Sequence, residues 1–396
     1  MPPPLHIPRN LRHLRLFMAV MDTGTITAAA ARCLVTQPAV TQAIAKLETA
    51  SGGALFERTR QGFFPTPRGT ILAHRAKRAF AQLDPALAEI APRLPLTATL
   101  AQLQALTAVR ETENFTLAAR RLGLAQPTVH RAVTQLEQEA GRILFERTAF
   151  GMIASSRAKT LAQCTRLAMA ELDQAEAELS ALSGEEVGRL TIGSLPLSRS
   201  VLLPEVITAF REHRATYPVE VRDGPYDELL SGLRRGEIDL ILGALRDPAP
   251  IGDVTQEPLF ADNLAILAGN HHPLIGAPAV RKEDLHRCGW VVPRRGTPAR
   301  EQFENFFADL GPPASLVEAG SILLMRELLD RSELLGCISS TQARAETTRG
   351  LLTELPVAAR WAARPIGLTT RSTWEPTPAQ AEFLAILKSA AARLAA

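Results

Sequence analysis

The sequence predicts a multidomain chain in which two small, all-α-rich units of one design precede a larger α/β domain. Two observations carry this. First, a constant shift of 89 residues lays one segment on another without a gap: Leu14, Ala19 and Val20 fall on Leu103, Ala108 and Val109; Gln37, Pro38 and Val40 on Gln126, Pro127 and Val129; and Leu55-Phe56-Glu57-Arg58-Thr59 on Leu144-Phe145-Glu146-Arg147-Thr148. A period of this length exceeds that of solenoid repeats, so it marks two whole small domains. Second, from Arg189 onward short apolar runs alternate with helical patterns, the signature of α/β layering.

In the first copy, Leu14, Phe17, Met18 and Met21 form the apolar stripe of a core-facing helix that Gly24 ends. Thr25 can cap a short Ala-rich helix running to about Cys33, and Leu34-Val35 form a turn. Thr36 can cap a third helix with Pro38 in its first turn and an inward stripe of Val40, Ile44 and Leu47. Its other face, with Ala39, Thr41, Gln42 and Lys46, is small and polar. Short side chains allow close approach to a duplex, and amides and cations suit base edges and phosphates, so this helix is expected to lie in a major groove.

Ser51-Gly52-Gly53 stops that helix, after which Leu55-Phe56 and Phe63-Phe64 can pair around Arg60-Gln61-Gly62 as a wing. Arg60 and Arg68 are expected near phosphates or the minor groove, fixing register rather than reading sequence. Arg58 reads either as another such cation or, slightly favoured, as an ion-pair partner of Glu48 or Glu57.

The run AAARCLVTQPAVTQAIAKLE followed by LFERT resembles the N-terminal winged helix-turn-helix of the LysR-type transcriptional regulators, and it occurs twice. The resemblance implies that Gln37, Pro38, Thr41 and Gln42 reach bases or adjacent phosphates, with Gln126, Pro127, His130 and Arg131 as the matching residues of the second copy. The copies differ. Ala125 replaces the capping Thr36, Ala149-Phe150 replace Arg60-Gln61, and Ser155-Ser156-Arg157-Ala158 lacks the Thr-x-x-Gly form of Thr66 to Gly69, so the second wing is expected to be the weaker. His130 and Arg131 add reading capacity, because arginine is the commonest specific partner of guanine.

A helical stretch follows each unit: Gly69 to Arg93, interrupted near Asp84-Pro85, and Ala158 to Leu182 with a seam of Leu161, Cys164, Leu167, Ala168 and Leu172. In the family such helices pair antiparallel between subunits. Only Leu94 to Ala98 separates the first from the second domain, which suggests that the two copies form a pseudo-dimer within one chain; a homodimer or homotetramer through the second helix is the alternative. Pro85 is expected to kink the first helix.

Farther on, Leu190–Ile192, Val219–Val221 and Leu240–Leu242 read as strands with helices near Val201–His213 and Leu229–Arg235; Leu264–Leu267, Trp290–Val292, Leu316–Glu318 and Leu335–Ile338 form a second set; Ile366–Thr370 and a helix Pro378–Leu394 return to the first. GRLTIGSLP and LLSGLRRGEIDLILGAL resemble the family's effector domain, which is similar to a two-lobed periplasmic binding protein, and GPYDELLSGLRRGEIDLILGALR with RPIGLTTRSTWEPT resembles the branch regulating sugar-binding-protein and aromatic-acid catabolic genes. The expected organisation is two winged helix-turn-helix domains at 9-69 and 98-157, linkers at 70-97 and 158-185, and an α/β two-lobed effector domain at 187-396, with lobe I at about 187-263 and 364-396 and lobe II at about 264-363. Strand ends that feed helix N-termini favour an anion, so Ser194, Ser198, Thr297 and Ser321 are expected as donors to a carboxylate effector and Arg300 as its anchor, each hydroxyl being equally readable as a helix cap.

Charge agrees with this division. Residues 1 to 93 carry 12 Lys/Arg against 5 Asp/Glu, residues 94 to 159 carry 8 against 5, and the rest 24 against 31, which concentrates basic charge on the repeats. Cys33, Cys164, Cys288 and Cys337 are scattered without a Cys-x-x-Cys pair, so neither a disulfide framework nor a zinc site is expected, and no cofactor. The start, Met1-Pro2-Pro3-Pro4, lacks a secretory signal and no run of about 18 apolar residues occurs, so a cytoplasmic protein without membrane contact is expected. Gly193-Ser194-Leu195-Pro196-Leu197 lacks the second glycine of a nucleophile elbow, and His271-His272 reads as a solvated loop pair, so no enzyme is expected. The expected partners are promoter DNA, an anionic effector and RNA polymerase; the rival reading is a small-molecule sensor whose DNA-binding units are inactive.

Overall fold

The computed structural model describes residues 9–60, 62–149, 151–249, 252–277, 279–357 and 361–395. The Pro-rich start and the wing-tip residues Gln61 and Phe150 lie outside them. The chain divides into two units, Met1–Arg189 and Leu190–Ala396.

The first unit makes one arrangement twice. Helices α1 (Leu11–Thr23), α2 (Ile26–Cys33) and α3 (Gln37–Ala50) lead into a hairpin, β1 (Phe56–Thr59) with β2 (Gly62–Pro65), and a long helix α4 (Pro67–Ile90). A short helix α5 (Leu94–Thr97) connects to α6 (Leu100–Thr112), α7 (Phe115–Leu122), α8 (Gln126–Ala140), the hairpin β3 (Phe145–Thr148) with β4 (Gly151–Ala154), and α9 (Ser156–Ala181). Apolar stripes at helical spacing explain both cores: Phe17, Val20, Ala29, Val40, Ile44 and Leu47 are buried in one, and Leu106, Val109, Ala118, Val129, Val133 and Leu136 in the other.

Caps and close approaches set the local geometry. The Thr25 hydroxyl accepts from the Ala28 N–H at 3.2 Å and Asn114 Oδ1 from the Thr116 N–H at 2.8 Å, starting α2 and α7. In each hairpin a glycine passes under the preceding helical turn: a Cβ on Gly62 would stand 2.7 Å from the Gly24 carbonyl, and one on Gly151 2.9 Å from the Glu113 carbonyl. Those carbonyls accept from the Phe63 and Met152 N–H groups, both at 2.9 Å. Glu48 Oε1 accepts from the Leu55 N–H and Glu137 Oε1 from the Leu144 N–H, tying each third helix to its hairpin.

Three expectations need correction here. Thr36 occupies the cap position of α3 without a side-chain hydrogen bond, so Ala125 in its place forfeits nothing. The missing Thr-x-x-Gly form does not loosen the second hairpin, where Phe145 is opposite Ala154 and Thr148 opposite Gly151 as Phe56 is opposite Pro65 and Thr59 opposite Gly62, and Ser155 caps α9 as Thr66 caps α4; the second wing still has Ala149 where the first has Arg60. Finally, α4 runs through Pro85 without a break. Arg15 of α1 grips Asp84 with both terminal nitrogens, at 3.0 and 2.5 Å, and lies over the Phe80 ring, which fastens that turn against α1.

The long helices α4 and α9 pack together antiparallel, since higher positions in α4 meet lower ones in α9. At their centre Arg75, 1% exposed, donates to Glu171 (3.0 Å), Gln174 (2.6 Å) and Glu178 (2.5 Å), and Arg78 donates twice to Glu171. Around this polar knot the seam is Leu72, Ala76, Ala79 and Leu83 against Leu161, Ala168, Leu172 and Ala175, where small residues permit close approach. Glu171 and Glu178 make a buried cation tenable that would otherwise face a large desolvation penalty.

The second unit has two mixed five-stranded sheets. One has the order β6-β5-β7-β14-β8, from β5 (Leu190–Ser194), β6 (Val219–Asp223), β7 (Leu240–Ala244), β8 (Val254–Asp262) and β14 (Arg364–Arg371). Helices α10 (Leu202–His213) and α16 (Pro378–Ala395) cover one face through Phe210 and Phe383, and α11 (Tyr226–Arg234) covers the other. The second sheet has the order β11-β10-β12-β9-β13, from β9 (Leu264–Ala268), β10 (Trp290–Val292), β11 (Leu316–Glu318), β12 (Leu335–Ser339) and β13 (Thr353–Glu354). Helices α12 (Lys282–Arg287) and α13 (Pro298–Phe306) pack on Trp290; α14 (Ile322–Asp330) and α15 (Ser340–Thr348) cover the opposite face through Met325, Leu329 and Ala343.

The chain passes between these lobes beside Asp262. Its buried carboxylate accepts from Arg364 Nη2 (2.9 Å), both Ser340 and Thr341 hydroxyls (3.0 and 2.9 Å) and the Thr341 N–H (3.2 Å), so one fully bonded anion joins β8, β14 and α15. His272 corrects another expectation, being 4% exposed rather than solvated. Its Nδ1 accepts from the Leu274 N–H at 3.1 Å, which requires the neutral tautomer with Nε2–H directed to the Glu333 carbonyl at 3.1 Å. Burial pushes the Cys337 thiol up to about 12, which makes it inert near neutral pH.

Two outcomes follow from these buried groups. Arg75→Ala leaves the half-buried Glu178 without its cation, Gln174 without its donor and the buried Glu171 with Arg78 alone, and is expected to destabilise the first unit by about 3–5 kcal/mol in urea titrations, while Arg32→Ala, removing an exposed pair with Asp22, changes it by less than about 1 kcal/mol. Burial holds the His272 imidazole below its ordinary pKa, so the unfolded chain binds a proton that the folded chain resists once pH falls below about 6.5. Stability is lost in that window on acidification; His272→Ala is expected to cost about 1–3 kcal/mol at pH 8, with the gap to the parent narrowing towards pH 5 in thermal melts.

Candidate nucleic-acid interface and effector region

Helices α3 and α8 place their expected reading residues on the outside. Gln37, Pro38, Thr41, Gln42 and Lys46 of α3 are exposed, as are Gln126, Pro127, His130 and Arg131 of α8. The inward residues of the same helices are fully buried, so each helix is half embedded and cannot rotate its polar face away. The Thr41 hydroxyl donates to the Gln37 carbonyl one turn back at 3.1 Å, and the residue is exposed. On α8 the His130 ring packs on Phe115, the first residue of α7, with centroids 5.0 Å apart, and Nδ1 lies 3.5 Å from the Thr134 hydroxyl. A helix with this profile fits a major groove roughly 12 Å wide.

The flanks are charged unequally. Beside α3, His13 and Asn10 of the α1 N-terminus share a surface hollow with Gln42, Lys46 and Thr49. Burial first, then the charges of Lys46 and Arg12, hold the His13 imidazole below its ordinary pKa, and its Nδ1 is a buried atom without a partner among the described residues. Arg60 is exposed at the first wing turn. Beside α8 the residue matching His13 is Gln102, locked in a capping box with Thr99 and donating to Glu139 at 3.1 Å.

Arg68 departs from its expected role. Its guanidinium donates to the carbonyls of Ser51 (2.8 Å) and Leu179 (3.2 Å) and to the Ser183 hydroxyl (2.7 Å), so it ties the end of α3 to the end of α9 instead of facing outward. Arg58 pairs with neither expected acid: Glu48 bonds the Leu55 N–H, and the Arg58 guanidinium lies over the Phe63 ring.

The five expected effector contacts are all engaged within the protein. Ser194 and Ser198 are fully buried and share a hydrogen bond at 2.9 Å, the Ser198 hydroxyl also reaching the Leu195 carbonyl at 2.8 Å. Thr297 caps α13 and donates to the Arg294 carbonyl; Ser321 caps α14. Arg300 is 4% exposed and holds Glu304 and the Pro293 carbonyl, at 2.8 and 3.2 Å. These groups build the ends of elements.

A different cation stands out in the structure alone. Arg246, just beyond the C-terminal end of β7, stacks its guanidinium over the Tyr226 ring at 4.3 Å, at the start of α11. Burial, against the pull of Tyr226, Asp227 and Glu301, draws it below its ordinary pKa. Among the described residues it meets no carboxylate at ion-pair distance, so it is a half-buried cation with donors not engaged by protein acceptors. Its backbone is fixed by the Gln256 amide, which bonds both the Arg246 N–H and carbonyl. The signal in the sequence is a cation directly after a buried strand, in LILGALR. Among the described residues no His/Cys/Asp/Glu group suits a metal, and no helix is long and apolar enough to cross a membrane.

Known sequences match this layout. The family model described as LysR substrate binding domain matches residues 183–392, and the bacterial regulatory helix-turn-helix model of the lysR family matches twice, at 11–70 and 100–159. The chain is 36% identical over 384 residues to the HTH-type transcriptional regulator GalR of Pseudomonas putida, covering 96% of each, and 26% identical over 294 residues to the HTH-type transcriptional regulator PcaQ of Agrobacterium fabrum, covering 74% of this chain and 94% of that protein. Among solved structures, ArgP from Mycobacterium tuberculosis is similar with a TM-score of 0.56 at 18% identity, covering 73% of this chain and 96% of that one. Full-length CbnR in complex with its target DNA has a TM-score of 0.51 at 18% identity, covering 74% and 99%. At these identities the structural likeness is one of fold.

Proposed function

This chain belongs to the LysR family of bacterial transcriptional regulators, with helix-turn-helix and substrate-binding domains, and we propose that one copy of it carries a complete pair of DNA-reading helices. The observation that carries the reading is the antiparallel packing of α4 on α9 around Arg75. That pairing joins residues 9–69 and 98–157, read as two winged helix-turn-helix domains, through linkers 70–97 and 158–185; residues 187–396 form the effector domain. The match to GalR over nearly the whole of both chains, against 294 residues for PcaQ, supports a second unit that belongs to the protein's design.

Charge at the helix interface favours pairing within the chain. The position in α9 matching Arg75 is Cys164, and those in α4 matching Glu171, Gln174 and Glu178 are Gln82, Pro85 and Glu89. Two α9 helices from different chains would bury Glu171 and Glu178 against Cys164 with no cation. Two α4 helices would set each Arg75 against Gln82, Pro85 and a single acid, Glu89. The mixed pair gives Arg75 two carboxylates and an amide, more acceptors than either like pair offers, which is how a polar interface residue favours its partner.

DNA contact is assigned to Gln37, Pro38, Thr41, Gln42, Lys46 and Arg60 in the first unit and to Gln126, Pro127, His130 and Arg131 in the second. A carboxylate-bearing effector is assigned to Arg246, whose stacked guanidinium leaves its fork of donors for a bidentate anion. Effector binding acts by its differential affinity for two states of the regulator, which alters promoter occupancy.

Gel-shift titrations with full-length protein test the DNA assignment. Lys46→Ala and Arg60→Ala are each expected to lower the slope of log affinity against log salt by about 1, while Arg68→Ala leaves the slope unchanged; salt-insensitive binding throughout would favour a sensor with inactive DNA-binding units. For the effector, thermal-shift screening with mono- and dicarboxylates is expected to find stabilising compounds whose effect is lost in Arg246→Ala; stabilisation by neutral compounds alone, or retained in the variant, would contradict the assignment.

A further inference from the structure

We propose that the DNA site of this chain is non-palindromic and that one chain lies on it with a fixed polarity, the α8 half reading a guanine through Arg131 where the α3 half presents Gln42. This rests on the reading above, in which both units contact one duplex.

The two units share one backbone design, so their half-sites differ through the side chains on their outer faces. At matching positions Ala39 becomes Thr128, Thr41 becomes His130, Gln42 becomes Arg131, Ala45 becomes Thr134 and Lys46 becomes Gln135. The centre of the α3 face therefore carries short or amide groups. Gln42 is suited to the two-point edge of adenine, and the methyl of the exposed Thr41, whose hydroxyl is engaged by its own helix, to the methyl of thymine. The α8 centre carries a guanidinium, whose planar fork matches O6 and N7 of guanine. His130 beside it is held by Phe115 and Thr134, so this face is preorganised.

The flanks differ as well. The α3 unit has the cations Lys46 and Arg12 beside the His13 ring at one edge and Arg60 on its wing. In the α8 unit the places matching Lys46, His13, Arg12 and Arg60 hold Gln135, Gln102, Ala101 and Ala149, and Glu139 stands where the first unit has Ala50. None of those four is a cation, and Gln102 is already bonded to Glu139 at 3.1 Å. The α8 unit instead carries exposed Arg120 and Arg142 where the first unit has Ala31 and Gly53, so the two halves place their phosphate-facing cations differently, and two-point base reading by a cation belongs to the α8 half. A palindrome would offer the same half-site to both helices and so mismatch one of them, and reversing the chain on a composite site would mismatch both.

Selection from a randomised duplex pool with the full-length protein tests this, followed by affinity measurements on the selected site, on each half duplicated as a palindrome, and on Arg131→Ala and Arg131→Lys. The expected consensus has unlike halves, with each palindrome bound at least about 10-fold more weakly than the composite. Both Arg131 variants are expected to lose base preference in one half only, the lysine form keeping its charge but not its fork. A symmetric consensus, a palindrome bound as tightly as the composite, or base preference lost equally in both halves would overturn the proposal while leaving two-unit binding intact. Failure to select any sequence, or protection of one half-site per chain, would overturn the two-unit reading and this inference together.

Discussion

A buried guanidinium with three acceptors on one neighbouring helix is the constraint on which the first unit depends. Arg75 is almost fully enclosed, and its charge is tolerable only where Glu171, Gln174 and Glu178 converge on it. That requirement sets the register and direction of α4 against α9. Because each long helix grows directly out of a hairpin, the same register places both three-helix units, and with them α3 and α8. The pairing is nearly symmetric in its apolar seam and asymmetric in its charge, since burial and then Glu89 push up the thiol of Cys164 at the place matching Arg75.

Much of this architecture was legible in the residues. The inward stripe Val40, Ile44 and Leu47 and its counterpart in α8 are buried as their spacing implies, and Trp290–Val292 and Leu316–Glu318 are strands with the expected limits. Short apolar runs and helical stripes report burial, which is a local property of the pattern. Elements without a stripe escaped notice. Strand β8 is an edge strand that pairs only with β14 and carries Glu257 and Pro258 within it, so its alternation is diluted by solvent-facing residues. Helix α15 is largely polar and buries Ala343 with Gln342 and Glu346.

The functional residues were less legible, for a different reason. Whether an arginine faces outward depends on acceptors far away in sequence: Arg68 is taken by Leu179 and Ser183, more than a hundred positions on, and nothing near it announces this. The same holds for Ser194 and Ser198, whose hydroxyls bond each other inside the fold, an arrangement their spacing does not announce. Pro85 does not break α4 because the rule for an isolated helix gives way where Arg15 clamps one side and α9 the other. Arg246 stands out only once Tyr226 and the surrounding burial are seen together.

In the regulator we propose, a single polypeptide supplies the paired helices and Arg246, in a separate domain, receives an anionic effector. Everything turns on both helices of one chain occupying one duplex. The most direct measurement combines native mass spectrometry of the full-length protein on a selected duplex with a hydroxyl-radical footprint of the same complex, giving the number of protected half-sites for each bound chain. Two protected half-sites per chain is the predicted result; one per chain would contradict it.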